Sequence, residues 1–172
     1  MSGFEIKNLA NPLYFEENVL PPHSDHKYYG SEAELASGCS SFKYSLNGLW
    51  HIHVARNLAE RPEGFEGSDY DCRHWDTIAV PAHIQMEGYG KPHYTNTTYP
   101  WDGHEAIAPG ELPQENTVAS YVKYFAVPEG WQDVRISFQG AETALAVWLP
   151  GQGSQRKDAQ RGVGVHRQSL RD

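Results

Sequence analysis

The stretch VRISFQGAETALAVWL, residues 134–149, carries the pattern on which the fold class depends. Apolar and polar residues alternate over residues 134–139, which is the period of a half-buried strand. The alternation resumes at Leu145, and the opposite face, which includes Trp148, is apolar as well. We therefore predict a half-buried strand over residues 134–139 and a strand over residues 143–149 that is buried on both faces. The residues expected in the core are Val134, Ile136, Phe138, Leu145 and Val147, with Trp50 and Phe125 close to the same core.

Three further segments, residues 49–55, 77–80 and 121–127, have the composition of strands and are bounded by Gly, Pro, Asn or Asp, the residue types that favour turns. One helix is predicted over residues 31–36, where Ser31 is a suitable N-cap and Glu34 follows three residues later. Short strands joined by loops that contain Pro and Gly indicate an all-β sandwich.

The chain has 172 residues and a formal net charge of -8. This length is enough for one domain with a sizeable core and too short for a multidomain hydrolase. The acidic balance argues against a nucleic-acid partner, because binding to phosphates needs a basic surface. The acidic charge is more compatible with a neutral or small solute as the binding partner.

Cys39 and Cys72 are the only cysteines, and the start MSGFEIKNLA has neither a basic nor an apolar signal region. Because disulfide-stapled secreted domains contain far more cysteine, we expect a cytoplasmic protein. No run approaches the roughly 18 consecutive apolar residues of a spanning helix, so we expect no membrane partner.

The last 21 residues, 152–172, differ in composition from the rest of the chain. They hold five Lys or Arg against two Asp and no aromatic residue. Such a segment cannot bury enough apolar area to offset chain entropy, so we predict a loosely ordered basic tail. A nucleic-acid-binding arm is the alternative, and the lack of interleaved aromatic residues disfavours it.

The segment HIQMEGYGKPHYTNTTYPW, residues 83–101, is unusually dense in aromatic, amide and glycine residues. A flat aromatic ring can cover the C–H face of a sugar, and an amide can donate to and accept from sugar hydroxyls. The segment therefore favours a sugar-contacting loop, although a hydrogen-bonded structural loop over residues 94–100 would use similar residues. The candidate platforms are Tyr89, Tyr94, Tyr99 and Trp101, and the candidate polar contacts are Gln85 and Asn96.

Other chemistry is weakly supported by the residues. His51 and His53 are two apart on a predicted strand, so they share a face and could form half of a metal site, but no third ligand stands nearby. A second histidine pair, His23 and His26, is no stronger. We find no motif for a catalytic nucleophile and predict no catalytic residue, metal site or cofactor in this chain. The following acids are interpreted as solvated loop and turn residues: Asp69, Asp71, Asp76, Glu105 and Glu111.

Five segments occur together in a recognisable order. They are NPLYFEENVLPPHSDHKYY (11–29), SLNGLWHIHVA (45–55), the stretch 83–101, ENTVASYVKYFAVPEGW (115–131) and ISFQGAETALAVWLPGQ (136–152). Over about residues 8–150 the chain resembles the amino-terminal sugar-binding domain of the β-galactosidases of glycoside hydrolase family 2.

The resemblance implies a galactose-binding-like jelly roll for the sandwich. It also implies that Asn96, in the Tyr-Thr-Asn triplet, contacts galactose hydroxyls in the active site of a separate catalytic barrel. The two carboxyl groups of a retaining glycosidase belong to that barrel. The full-length enzymes of the family use divalent and monovalent cations.

After Trp148 the chain departs from the family pattern. The family continues with an Asn-Gly turn and a Gly-Tyr-Ser…Asp-Ser-Arg segment, whereas residues 150–172 read PGQGSQRKDAQRGVGVHRQSLRD. We therefore expect an incomplete sandwich that results from truncation or a frameshift. The predicted organisation is an N-terminal extension (1–38), a sugar-binding β-sandwich (39–151) and a divergent tail (152–172).

Two functions remain open. The first is a non-catalytic sugar-binding fragment of a β-galactosidase-like hydrolase whose parent hydrolyses terminal β-galactosides. The second is a free-standing carbohydrate-binding module. The predicted partners are a weakly bound galactoside, the remaining domains of the parent enzyme and, because the sandwich is incomplete, a second copy of this chain.

Overall fold

The computed structural model describes residues 5–11, 13–24, 26–67, 69–91, 97, 101, 104–108, 110–141 and 144–149. Its elements, in chain order, are a first 3-10 helix (Ile6–Ala10), helix α1 (Glu32–Ser37), strands β1 (Gly48–Ala55) and β2 (Asp76–Val80), a second 3-10 helix (Ile84–Glu87) and strand β3 (Val118–Val122). The chain divides into two compact units, Met1–Asn47 and Gly48–Asp172.

Helix α1, in the first unit, is closed at both ends by local hydrogen bonds. Ser31 Oγ accepts from the backbone N–H of Glu34 at 3.2 Å, which satisfies one of the donors that a first turn leaves free. The Glu34 carboxylate turns back and accepts from the N–H groups of Gly30 and Ser41. Gly38, at φ 73°, ends the helix in the left-handed conformation that glycine adopts readily. The predicted N-cap at Ser31 is confirmed.

The second unit contains a three-stranded antiparallel sheet in the order β2-β1-β3. Trp50 of β1 pairs with Ile78 of β2, and Ile52 pairs with Tyr121 of β3. Directly paired residues lie on the same face of a sheet, so these four side chains share one face, the Trp50 face. Trp50, Ile52 and Ile78 are buried there.

The opposite face carries His51 and His53, which pair with Val122 and Ser120 respectively. We call it the Trp75 face, because the ring centroids of His53 and Trp75 lie 5.4 Å apart. A hydrophobic cluster covers this face. Its buried members are Phe65, Cys72, Trp75 and Val122, and Tyr70 and Trp148 pack against them.

The predictions of strands over residues 134–139 and 143–149 are wrong. The described residues of this stretch, 134–141 and 144–149, form no strand, and Val134, Phe138 and Leu145 are 48%, 37% and 37% exposed. Ile136, Val147 and Phe125 are only half-buried, whereas Trp50 is buried as expected. Alternation selects a buried face only where a ladder to a neighbouring strand fixes the register.

Within residues 144–149, the more buried side is the one that carries Ala144, Ala146 and Trp148. Ala146 is buried, and the ring of Trp148 meets the edge of Phe65 at a centroid distance of 6.2 Å. Packing on the cluster therefore determines which side chains face inward. The predictions for residues 49–55 and 77–80 agree with β1 and β2 to within a residue, whereas β3 begins at Val118 and ends at Val122, earlier than predicted.

The fold class is confirmed as all-β. The strands are the longest source of regular structure among the described residues, and α1, with six residues, is the one α-helix there; the sheet is one layer of a β-sandwich. No helix among the described residues is long and apolar enough to cross a membrane. The predicted boundaries at residues 38 and 151 stay predictions, and residues 152–172 lie outside the described part of the chain.

Candidate functional site

Three of the six predicted sugar-contacting residues lie outside the described part of the chain, and the other three lie just before or just after these. Tyr94, Asn96 and Tyr99 lie outside the described residues. Gln85 lies in the second 3-10 helix and is half-buried, and Trp101 is buried. The structure therefore shows which contacts the chain makes just before residue 92 and just after residue 100.

Before this stretch, the chain turns at two glycines. The second 3-10 helix buries Ile84 and ends at Gly88, whose φ is 89°. Gly90 also has a positive φ, 68°, and a Cβ placed on it would lie 3.1 Å from Thr117 Oγ1. A side chain at position 90 would therefore be strained and crowded. Glycine at 90 allows the backbone to approach Thr117, which immediately precedes β3.

Trp101, after the stretch, is anchored through its indole. The ring is only 5% exposed, and its Nε1–H donates to the backbone oxygen of Glu115 at 2.9 Å. The Trp101 carbonyl oxygen accepts from the N–H groups of His104 and Glu105. The ring is thus fixed in the interior, and its use as a sugar platform stays a prediction.

Glu105 forms the second link after residue 100. Its Oε1 accepts from the N–H of Glu115 at 2.7 Å, and its Oε2 accepts from the N–H of Gln114 at 2.8 Å. A carboxylate that accepts from two backbone N–H groups is a strong, directional link. Glu105 is a loop acid, as the sequence predicts, and in addition it has two backbone partners, nine and ten residues away, for which the sequence has no local signature.

The residues that receive these links are themselves tied to the sheet. Asn116 donates its backbone N–H to the carbonyl oxygen of Arg56, the residue that follows β1, at 3.1 Å. The side chains of Arg56 and Glu115 form an ion pair at 2.9 Å. Residues 90 and 101 therefore both lie against residues 114–117, the segment that directly precedes β3. We call this assembly the loop frame; its members are Gly90, Trp101, Glu105 and residues 114–117.

Two tyrosines lie beside the loop frame on the Trp50 face and its margin. Tyr89 Oη donates to Asp76 Oδ2 at 3.2 Å, so Asp76 also has a defined partner. The ring of Tyr121 meets that of Trp50 edge to face, with centroids 6.4 Å apart. Burial, and then the neighbouring Tyr89, raise the pKa of Tyr121 to about 12. Burial and Asp76 also raise the pKa of Tyr89. Both phenols therefore keep their protons near neutral pH.

The Trp75 face contains buried polar atoms in addition to the hydrophobic cluster. Four of them are buried and have no hydrogen-bond partner among the described residues: Nδ1 of His51, Nδ1 of His53, Nε1 of Trp75 and Oγ of Ser120. Within the described ranges, no group of three or more His, Cys, Asp or Glu side chains could hold a metal ion.

The described residues form an all-β domain in which Gly90 lies beside Thr117 and the indole of Trp101 donates to Glu115, both just before β3. Residues 43–166 match the family model described as "Glycosyl hydrolases family 2, sugar binding domain", and the chain belongs to this family. The resemblance drawn from the sequence is confirmed.

The chain is similar to several curated proteins. It is 50% identical over 142 residues to "Beta-galactosidase" of Halalkalibacterium halodurans, which covers 80% of this chain and 14% of that protein. It is 43% identical over 145 residues to "Beta-galactosidase" of Lactobacillus delbrueckii subsp. bulgaricus, covering 83% and 14%. It is also 43% identical over 158 residues to "Beta-galactosidase large subunit" of Leuconostoc lactis, covering 83% and 25%. The chain thus spans a quarter or less of the length of these three relatives.

Proposed function

We propose that this chain is the non-catalytic sugar-binding domain of a β-galactosidase-like glycoside hydrolase. The observation that carries the proposal is the family match over residues 43–166 together with 50% identity to a beta-galactosidase. In this proposal the parent protein hydrolyses terminal β-galactosides by a two-step retaining mechanism. The chain serves to bind and orient the sugar, and the remaining domains of the parent are its partners.

The side chain that we propose for sugar contact is Asn96. Its amide can donate to one galactose hydroxyl and accept from another, which makes it selective for a particular arrangement of hydroxyls. Tyr94 and Tyr99 supply aromatic surface, and Gln85 a second amide. Trp101 contributes mainly as an anchor, since only 5% of it is exposed.

Catalysis requires groups that we assign to the rest of the parent. A retaining glycosidase needs two carboxyl groups about 5 to 5.5 Å apart, one as nucleophile and one as acid and base. We place both in the catalytic barrel, so the purified 172-residue chain should not hydrolyse a chromogenic β-galactoside. Turnover that copurifies with the chain and survives controls for host enzymes would contradict this assignment.

The decisive experiment places the domain in an active enzyme. The matched segment of the Halalkalibacterium halodurans relative is replaced by the matched segment of this chain, and kcat and KM are measured for a galactoside. Asn96→Ala should lower kcat/KM by about 10- to 100-fold, the loss of one or two hydrogen bonds to the sugar. Asn47→Ala, an exposed asparagine outside the segment, is the matched control and should leave kcat/KM unchanged.

Two results would count against the proposal. An active chimera in which Asn96→Ala behaves like Asn47→Ala would remove Asn96 from the sugar site. Micromolar binding of lactose by the isolated chain would instead favour a free-standing carbohydrate-binding module. We expect millimolar binding or weaker, about 4 kcal/mol or less of binding free energy, because one domain offers only part of a sugar site.

A further inference from the structure

We propose that the outer edge of β2 is an interaction surface for a second copy of this chain, and that two copies join their sheets by antiparallel pairing of one β2 with the other. One edge of β2 pairs with β1. Within the described ranges, no strand pairs with its other edge. The proposal goes beyond the proposed sugar-binding function and does not depend on it.

The outer edge of β2 presents the backbone groups of Thr77 and Ala79. Leu49 of β1 lies directly opposite Ala79. The carbonyl oxygen of Leu49 accepts from Nζ of Lys123, the residue that follows β3, at 2.9 Å, so Leu49 directs its backbone groups away from β2. In an antiparallel pair, directly opposite residues either exchange both hydrogen bonds or exchange neither. Ala79 therefore points away from β1, and so does Thr77, two residues before it.

This edge is open to solvent. Thr77 and Ala79 are both exposed, and neither has a hydrogen bond to a described residue outside the pairing with β1. Strand β3 lies at the other margin of the described sheet, and it is covered: Val118, Ala119 and Ser120 are at most 2% exposed. A row of unpaired N–H and C=O groups is a template for another strand. The two margins therefore differ, and β2 is the one that can accept a partner.

The side chains of β2 do little to prevent such pairing. Edge strands are commonly protected by lysine, by proline or by inward-pointing charges. Residues 77–79 read Thr-Ile-Ala and contain none of these. Asp76 begins the strand, and Pro81, which has no N–H to donate, follows its end. The length available for pairing is therefore the five residues of β2.

The five residues are complementary to a second copy of themselves. A twofold axis through Ile78 pairs all of β2 with its counterpart and places Thr77 opposite Ala79 of the other copy. Each of these two pairs can exchange two backbone hydrogen bonds. Asp76 then lies opposite Val80, so no like charges face each other. The two Asp76 carboxylates are four residues apart, about 14 Å along the strand, which exceeds the screening length of about 10 Å at 0.1 M salt.

The pairing also continues the interior of the domain. Ile78 is buried on the Trp50 face, and the axis places it beside Ile78 of the other copy on the same face. The three-stranded sheet is thereby extended to twice its number of strands. Because only five residues of each copy are paired, we expect a weak association that depends on the concentration of the chain.

Sedimentation equilibrium of three double variants tests this register. Thr77→Lys with Ala79→Lys places lysine opposite lysine in two pairs, so Kd should rise by about tenfold. Thr77→Glu with Ala79→Glu should raise Kd by about the same factor. Thr77→Lys with Ala79→Glu instead places opposite charges together and should keep Kd within about threefold of the unaltered value. The three variants change the same two exposed residues, so each is a matched control for the others.

The series is made in the Leu149→Lys chain, because Leu149 is 44% exposed and belongs to a separate apolar surface. Each variant should keep the urea midpoint of its parent, which shows that the fold is retained. Equal weakening in all three double variants would overturn the proposed register. A chain that stays monomeric at the highest concentration reached would overturn the proposal itself.

Hydrogen exchange by NMR on the unaltered chain needs no substitution and decides the proposal even where a variant does not fold. The backbone N–H groups of Thr77 and Ala79 should exchange more slowly as the concentration of the chain rises. The N–H of Ile52, in the middle of the sheet, should show no such dependence. Slow exchange of Thr77 and Ala79 in the dilute monomer would mean that the chain itself covers this edge, and the proposal would then be wrong.

Discussion

His53 and Ser120 lie directly opposite each other on β1 and β3, and within the described part of the chain neither the buried Nδ1 of His53 nor the buried Oγ of Ser120 has a hydrogen-bond partner. The ring of His53 also lies beside that of Trp75, whose buried Nε1 has no partner in the described ranges either. Buried polar groups are normally satisfied, and an unsatisfied one costs about 1–3 kcal/mol. These unsatisfied polar atoms on the Trp75 face therefore lower the free energy of unfolding of the domain, although the cluster around them is apolar.

Ser120→Ala should therefore leave the free energy of unfolding unchanged or raise it by about 1 kcal/mol, because it removes a buried hydroxyl that has no partner among the residues the structure describes. Urea unfolding of the purified chain measures this change. Ser137→Ala is the control, since Ser137 is exposed and its hydroxyl accepts from the Gln139 side chain; it should have almost no effect. A loss of more than about 1 kcal/mol in Ser120→Ala would indicate an ordered water bound to the hydroxyl.

The hydrophobic cluster predicts opposite outcomes for two phenylalanines. Phe65 is 1% exposed and contacts the rings of Trp75 and Trp148, so Phe65→Ala should lower the free energy of unfolding by about 3–5 kcal/mol. Phe138 is 37% exposed, and Phe138→Ala should cost less than about 1.5 kcal/mol. The same truncation is made at both sites, so urea unfolding compares them directly. Equal losses would contradict the described core.

The sequence predicted the parts of the fold that depend on local signals. The Ser31 cap is formed by residues three apart, and β1 and β2 are bounded by turn residues that can be read along the chain. Residues 134–149 show the limit of this approach. Their inward face is set by packing of Trp148 on Phe65, and the stretch that contains Phe65 has no periodicity from which its burial could be predicted.

The same limit applies to the candidate site. The composition of residues 83–101 indicates a sugar-contacting segment, and the structure adds a close approach of the backbone at Gly90 to Thr117. The roles of Trp101 and Glu105 depend on backbone groups at residues 114 and 115. A carbonyl oxygen or an N–H group exists at every such position, so residue types alone could not identify these partners.

Gly90→Ala should destabilise the domain. Its φ of 68° lies in the left-handed region, which costs an L-residue about 1–2 kcal/mol, and the new Cβ would meet Thr117 Oγ1 at 3.1 Å. Gly140→Ala is the control, because a Cβ there meets nothing within 4 Å and no positive φ is involved. Unfolding measurements should show a loss for position 90 and none for position 140. Equal effects at the two positions would contradict the close approach to Thr117.

Tyr121 should make the stability of the domain depend on alkaline pH. Its pKa is about 12 in the folded chain, against an ordinary value of 10.0, so the folded state retains the phenolic proton more strongly than the unfolded state. The resulting stabilisation is complete below about pH 10 and is lost as the pH rises to about 12. Unfolding curves across this range should show the loss, and Tyr121→Phe should remove part of it. The pKa of Tyr89 is raised as well, so some dependence should persist in that variant.

Residues 134–149 should promote self-association of the purified chain. Besides the three exposed apolar residues already described, Leu149 is 44% exposed, so one stretch places four such side chains in contact with water. Clusters of exposed apolar surface favour association between molecules. Leu149→Lys should therefore shift the sedimentation profile towards monomer. Met86→Lys, at a more exposed residue outside this stretch, controls for the added charge and should change assembly less. Removal of residues 153–172 should also change it little. A stable monomer at high concentration, or an equal response to the two lysine substitutions, would exclude this surface as the cause of assembly.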